Sequence, residues 1–220
     1  MLAHSAVRFS LYAGAALVLA AFLVSLYFYP SVPDTMVTHW NAAGQPDGSM
    51  PKDVGLFLLP FIMGIFTAGY YWLVTRKSTS KVGTLPLYPP ELHGFILVFL
   101  VFLILVQLGT IAWNLGHVFS VSQWVFVGIG MLFLILGKML ERVTPNWLFG
   151  IRTPWTLANT KVWRDVHARG GKLFMLLGFL ALITSFFPDN PFQTFFLPLL
   201  AIVLYLIAYS YLRYQTETTG

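Results

Sequence analysis

Six separate stretches of this chain are long and apolar enough to cross a lipid bilayer, and nothing else in the sequence restricts its fold as strongly. A helix needs about 20 mostly apolar residues to span the hydrocarbon core. The stretches run from Phe9 to Tyr29, Val54 to Thr75, Phe95 to Trp113, Val121 to Gly137, Leu173 to Phe187, and Phe192 to Leu212. None carries Asp, Glu, Lys, Arg or His in its interior. Only 10% of the 220 residues are charged, where soluble domains hold about 25%. The expectation is an all-α polytopic membrane protein with six transmembrane helices, placed in the cell membrane among its lipids. The first stretch is too long for the 7–15-residue apolar core of a signal peptide, and no clear small-residue cleavage site precedes Pro30, so it reads as a retained helix.

The basic residues give the orientation. Of 13 Lys and Arg, all but Lys52 fall at the two termini, after span two, or between spans four and five. Cytoplasmic loops are the ones rich in Lys and Arg. Both termini are therefore expected in the cytoplasm, with Pro30 to Asp53 outside and Lys138 to Lys172 inside. The net charge of +5 then reflects topology and attraction to anionic lipid, and no direct nucleic-acid binding is expected. Three regions follow: a first helix pair with its external loop (9–75), a middle pair (95–137), and a cytoplasmic loop with the last pair (138–213). The tight turn Pro188-Asp189-Asn190-Pro191 joins that last pair.

Several chemistries drop out. The chain has no cysteine, which removes disulfides, thiolate nucleophiles and Cys-ligated metals. Spans without ionisable groups argue against a proton-coupled transporter. No catalytic set, metal site or cofactor is expected.

Two loops are long enough to carry function. In the external one, Pro30 and Pro33 hold the chain extended after span one. Met36 to Trp40 is β-compatible, and Asn41-Ala-Ala-Gly44 with Pro46-Asp47-Gly48 is dense in turn residues. A small ordered hairpin or cap is expected there, with Trp40 near the interface. His39 and the nearby aspartates match no known metal spacing. They serve either the loop's own backbone hydrogen bonds or a recognition surface. In the cytoplasmic loop, Asn159 is expected to cap a short interfacial helix that Gly170-Gly171 ends near Arg169. Val162, Trp163 and Val166 would form its apolar stripe. Arg152, Trp155, Trp163, Arg164 and His167 then make an aromatic and basic cluster, which serves either as interfacial anchors or as a docking surface.

At these two loops the sequence resembles the SdpI-like family of bacterial polytopic membrane proteins. The cytoplasmic residues that carry the likeness are Asn146, Gly150, Ile151, Arg152, Thr153, Pro154, Trp155, Thr156 and Leu157, followed by Asn159, Trp163 and His167. The external residues His39, Trp40, Asn41, Gly44, Pro46, Asp47, Gly48 and Lys52 resemble the uncharacterised domain that often precedes that family. Pro51 departs from the pattern, where Ser is expected. The resemblance implies an immunity protein that binds a secreted, membrane-active peptide toxin on its outer face. It also implies a possible partner inside, a small DNA-binding repressor captured at the membrane. The competing readings are a small transporter or lipid-handling protein and, further off, an interfacial enzyme. The last would have to do without a shared site, because His39 and His167 are expected on opposite sides of the membrane.

Overall fold

The computed structural model describes residues 2–41, 44–76, 81–82, 85–117, 119–187 and 191–219. The turn at Pro188–Asn190 and the basic Lys77 lie outside the described residues. Six long helices account for most of the rest: α1 (Leu2–Phe28), α2 (Lys52–Arg76), α3 (Leu92–Asn114), α4 (Val121–Leu140), α6 (Thr160–Thr184) and α7 (Pro191–Thr219). Each is long and apolar enough to cross a membrane. A helix satisfies its own backbone hydrogen bonds, which hydrocarbon demands. Large apolar side chains such as Leu19, Phe61, Ile65, Phe179 and Leu204 stay exposed on the outward faces, as a lipid-facing surface requires.

The helices fall into two groups that meet where α3 packs on α4. Helices α1, α2 and α3 enclose Ala21, Met63 and Leu100; α4, α6 and α7 enclose Phe126, Leu177, Ala181 and Phe195. Buried polar side chains stitch the first group. Gln107 Nε2 donates to the Ala21 carbonyl (3.0 Å) and to Ser25 Oγ (2.8 Å), and Ser25 donates to the Leu56 carbonyl (2.6 Å). Helix α3 begins at Leu92, earlier than the apolar run indicated, and His93 in its first turn meets the Tyr70 hydroxyl at 2.5 Å.

Glycine decides how α4 meets α6. A Cβ added at Gly137 would lie 2.5 Å from the Gly171 carbonyl, and one at Gly171 would lie 2.6 Å from the Gly137 carbonyl. Gly130 and Gly178 repeat the arrangement at 2.9 and 2.8 Å. Only glycine lets two backbones approach so closely. This corrects the expected helix stop. Gly170-Gly171 does not end a short interfacial helix; α6 runs unbroken from Thr160 through the pair into the fifth span. Its first turns are therefore packed, and Val162, Trp163 and Val166 are fully buried rather than resting among headgroups.

Three smaller elements complete the chain. Strands β1 (Thr35–Trp40) and β2 (Pro46–Pro51) form the expected hairpin between α1 and α2. A two-residue ribbon, β3 (Lys81–Val82) with β4 (Leu85–Pro86), lies between α2 and α3 and was not anticipated. One helical turn, α5 (Pro154–Ala158), precedes α6.

Candidate functional site

Two constructions, one at each end of the helices, hold the residues singled out in the sequence. The hairpin is fastened to the bundle by three devices. Met36 is fully buried against Val32, Leu56 and Ile111. Asn114, at the end of α3, acts like a neighbouring strand: its Oδ1 accepts from the Val37 N–H (2.8 Å), and its Nδ2 donates to the Val37 carbonyl (2.9 Å). Trp40 meets Trp113 edge to face at 5.6 Å. The turn closes on Asn41, whose side chain accepts from the Gln45 N–H (3.0 Å), while Gly44 takes the positive φ of 74° that the reversal needs.

On the exposed side of the hairpin, His39 Nδ1 lies 2.5 Å from Asp47 Oδ1, across the strand pair. Gly48 opposite His39 leaves room, since a Cβ there would stand 3.0 Å from the His39 Cβ. The histidine and aspartate thus bond each other, and neither serves the loop backbone through this contact. Pro46 opens β2 opposite Trp40. At the foot of the hairpin, Lys52 Nζ contacts Asp34 (2.7 Å) and lies over the Tyr29 ring, while Tyr29 donates to Asp53 (2.6 Å). The Lys52 ammonium holds the Asp34 carboxyl below its ordinary range, and the Asp53 carboxylate raises the Tyr29 hydroxyl. Among the described residues, no group of three His, Asp or Glu side chains gathers to hold a metal ion.

At the opposite end, the 141–153 segment is built around three buried polar residues. Asn146 uses its whole amide: Nδ2 donates to the Thr144 and Phe149 carbonyls, and Oδ1 accepts from the Leu148 and Phe149 N–H groups. His167 is the second. The Ile151 N–H donates to its Nε2 (2.9 Å), and its Nδ1 donates to the Trp163 carbonyl (2.8 Å), so the network assigns a neutral ring with the proton on Nδ1. Trp163 stacks on that ring at 4.0 Å and donates its indole N–H to the Val143 carbonyl. Gly150 completes the fit: it has φ 120°, and a Cβ would collide with His167 Nε2.

Thr153 is the third. It opens α5 with a reciprocal capping box to Thr156, with Pro154 in the first turn, and donates to Ser210 on α7 (3.0 Å). Trp155 meets Tyr211 of α7 edge to face at 5.1 Å. Asn159 then caps α6 through the Lys161 and Val162 N–H groups.

The cluster expected here is therefore divided. Trp163 and His167 are buried together, Trp155 belongs to the α7 contact, and Arg152 is an exposed residue donating to the Trp147 carbonyl. Arg164 is exposed on the other face of α6. Sequence reasoning missed the ion-pair network that ties α6 to α7: Arg213 bonds Asp165 and Glu217, and Lys161 bonds Glu217, at 2.7 to 2.9 Å. The spacings of Arg213 and Glu217, and of Lys161 and Asp165, each four apart on one helix, were its available signal.

Comparison with known proteins places both constructions in described segments. Residues 142–212 match the family described as the SdpI/YfhL protein family, and residues 16–64 match a domain of unknown function, DUF1648. The chain is 29% identical over 192 residues to "Immunity protein SdpI" of Bacillus subtilis (strain 168), covering 87% of this chain and 86% of that protein. It is 41% identical over 49 residues to "Uncharacterized membrane protein YbgB" of the same organism, covering 22% of this chain and 54% of that one. No solved structure matches.

Proposed function

We propose, from the match of residues 142–212 to the SdpI/YfhL protein family and of residues 16–64 to DUF1648, that the chain is a membrane immunity protein of that family. The observation that carries the proposal is 29% identity along 86% of a protein described as an immunity protein. In finer detail, the termini and the 141–153 segment face the cytoplasm, and the β1–β2 hairpin faces outward. The hairpin captures a membrane-active peptide before it disrupts the bilayer. Such a role requires binding and no bond-making step. The cytoplasmic segment signals occupancy by recruiting a DNA-binding repressor, which requires two states of that segment linked to peptide binding.

The test is survival. A strain lacking this chain is exposed to the secreted peptide fraction of its parent, with and without the chain restored. Restored survival supports the proposal, and equal survival counts against it. Recruitment is tested separately, by whether a repressor moves to the membrane fraction only when peptide and chain are both present.

A further inference from the structure

We infer that the α6–α7 surface at Arg169 and Lys172 is the seat of an anionic phospholipid, whose phosphate meets the two cations while its acyl chains lie along the apolar face of α6. The inference needs only that α6 and α7 cross a bilayer, so it stands apart from the immunity reading.

Arg169 is an exposed side chain that α7 holds in one pose. Its Nη1 donates to the Tyr205 hydroxyl (2.5 Å), and its guanidinium lies over the Tyr209 ring, 4.4 Å from the centroid. The two tyrosines stack on each other at 5.9 Å. A guanidinium presents its N–H donors as a rigid fork that matches a phosphate. Only one nitrogen is engaged here, and the Tyr205 hydroxyl, which accepts from it, keeps its own proton to donate. Lys172 follows three residues later, exposed and without a partner among the described residues. Residues at that spacing are neighbours on a helix surface, so both cations can reach one phosphate. Beyond Lys172 no charged residue follows on α6. The row Arg169, Lys172, Leu176, Phe179, Ile183 alternates steps of three and four, which keeps it on one face. Its last three members are 60%, 56% and 57% exposed. Cations and tyrosines followed by an open apolar stripe repeat the order of a lipid, headgroup and then tail.

Charge selects the headgroup. The carboxylates of α6 and α7, Asp165 and Glu217, are already held by Arg213 and Lys161, and Glu141 beside Gly171 is held by Lys138. Arg169 and Lys172 form no ion pair among the described residues, so two positive charges stand uncompensated on this face. A choline headgroup would bring a third cation to them and meet no free carboxylate on these two helices. A headgroup with a phosphate and no cation complements them. Positive-inside bias alone would be met by any basic side chain, and does not require a guanidinium laid on a pair of stacked tyrosines.

The experiment is native mass spectrometry of the full chain in detergent, titrated with phosphatidylglycerol or with phosphatidylcholine of the same acyl chains. The first phosphatidylglycerol should bind about tenfold more tightly than the first phosphatidylcholine. Arg169→Gln and Lys172→Gln should each remove most of that preference. Arg169→Lys keeps the charge and loses the fork, so it should remove part of it, and it carries the test if Arg169→Gln does not fold. Arg164→Gln deletes the same charge from an exposed position of α6 outside this row, and should leave the preference intact. Glycerol phosphate and a Glu-rich peptide, offered at the lipid's concentration, should fail to displace it. Equal affinity for the two lipids would overturn the inference, as would a loss in Arg164→Gln equal to that in Arg169→Gln, which would mark diffuse attraction. Displacement by either soluble anion would overturn it too, in favour of a ligand that needs no acyl chain.

Discussion

Gly150, Trp163 and His167 form the most tightly determined spot in the molecule, because each removes the freedom of the others. Gly150→Ala would need a positive φ that L residues avoid and would press its Cβ on the His167 ring. A loss of about 1–3 kcal/mol in stability is expected, measured by thermal unfolding in detergent. Trp163→Ala removes a fully buried ring and should cost about 3–5 kcal/mol, lowering the amount of protein found in the membrane. Arg164→Lys, at an exposed position, should change stability by less than about 0.5 kcal/mol. Arg152→Lys keeps charge and topology but loses the forked guanidinium that reaches the Trp147 carbonyl, so function should weaken with insertion intact. The Lys52–Asp34 contact has a definite pH sign. Its carboxyl has a folded pKa below the ordinary 3.8, so the stabilisation is complete above that value and is lost as pH falls through the lower folded pKa. Protection of the Lys52 N–H, which donates to the Asp34 carbonyl, taken relative to its intrinsic exchange rate, should fall in that acid range and stay constant from pH 5 to about 7.

Among the elements, α4 and α6 depend on glycine in a way that reverses the usual effect of an alanine. In an ordinary helix Gly→Ala stabilises by about 0.5–1 kcal/mol. Gly69→Ala in α2, where nothing lies within 4 Å of the new Cβ, should follow that rule. Gly137→Ala should do the opposite, because the added methyl meets the Gly171 carbonyl at 2.5 Å and forces the helices apart. Comparing the two variants by thermal unfolding tests the glycine contact directly. The same contact explains what the sequence could and could not tell. Six spans were legible because length and hydropathy decide whether a segment enters a bilayer, whatever it packs against. The hairpin was legible because turn residues act locally, as Asn41 and Gly44 do. Gly170-Gly171 was misread because a local rule for helix ends cannot see the α4 backbone that the pair accommodates. Thr153 and Thr156 already held a capping-box signal, but the partner that fixes α5, Ser210, is 57 residues away.

At the scale of the whole molecule, two helix groups meet at α3 and α4, and the hairpin is anchored on α3 through Asn114 just beside that junction. The SdpI/YfhL match covers α5, α6 and most of α7 and leaves α4 outside it, while the DUF1648 match covers the second half of α1, the hairpin and the first half of α2. The chain has no cysteine, so single cysteines report sidedness cleanly. An impermeant maleimide should label Ser49→Cys in intact cells and reach Thr219→Cys only after lysis. The central claim, that the outward hairpin confers immunity by recognising a peptide, is tested most directly by survival under the parent strain's secreted peptides. Cells carry either the unaltered chain or its His39→Ala and Asp47→Ala variants at matched membrane levels. The account predicts protection by the unaltered chain and its loss in both variants. Undiminished protection by the variants would contradict it.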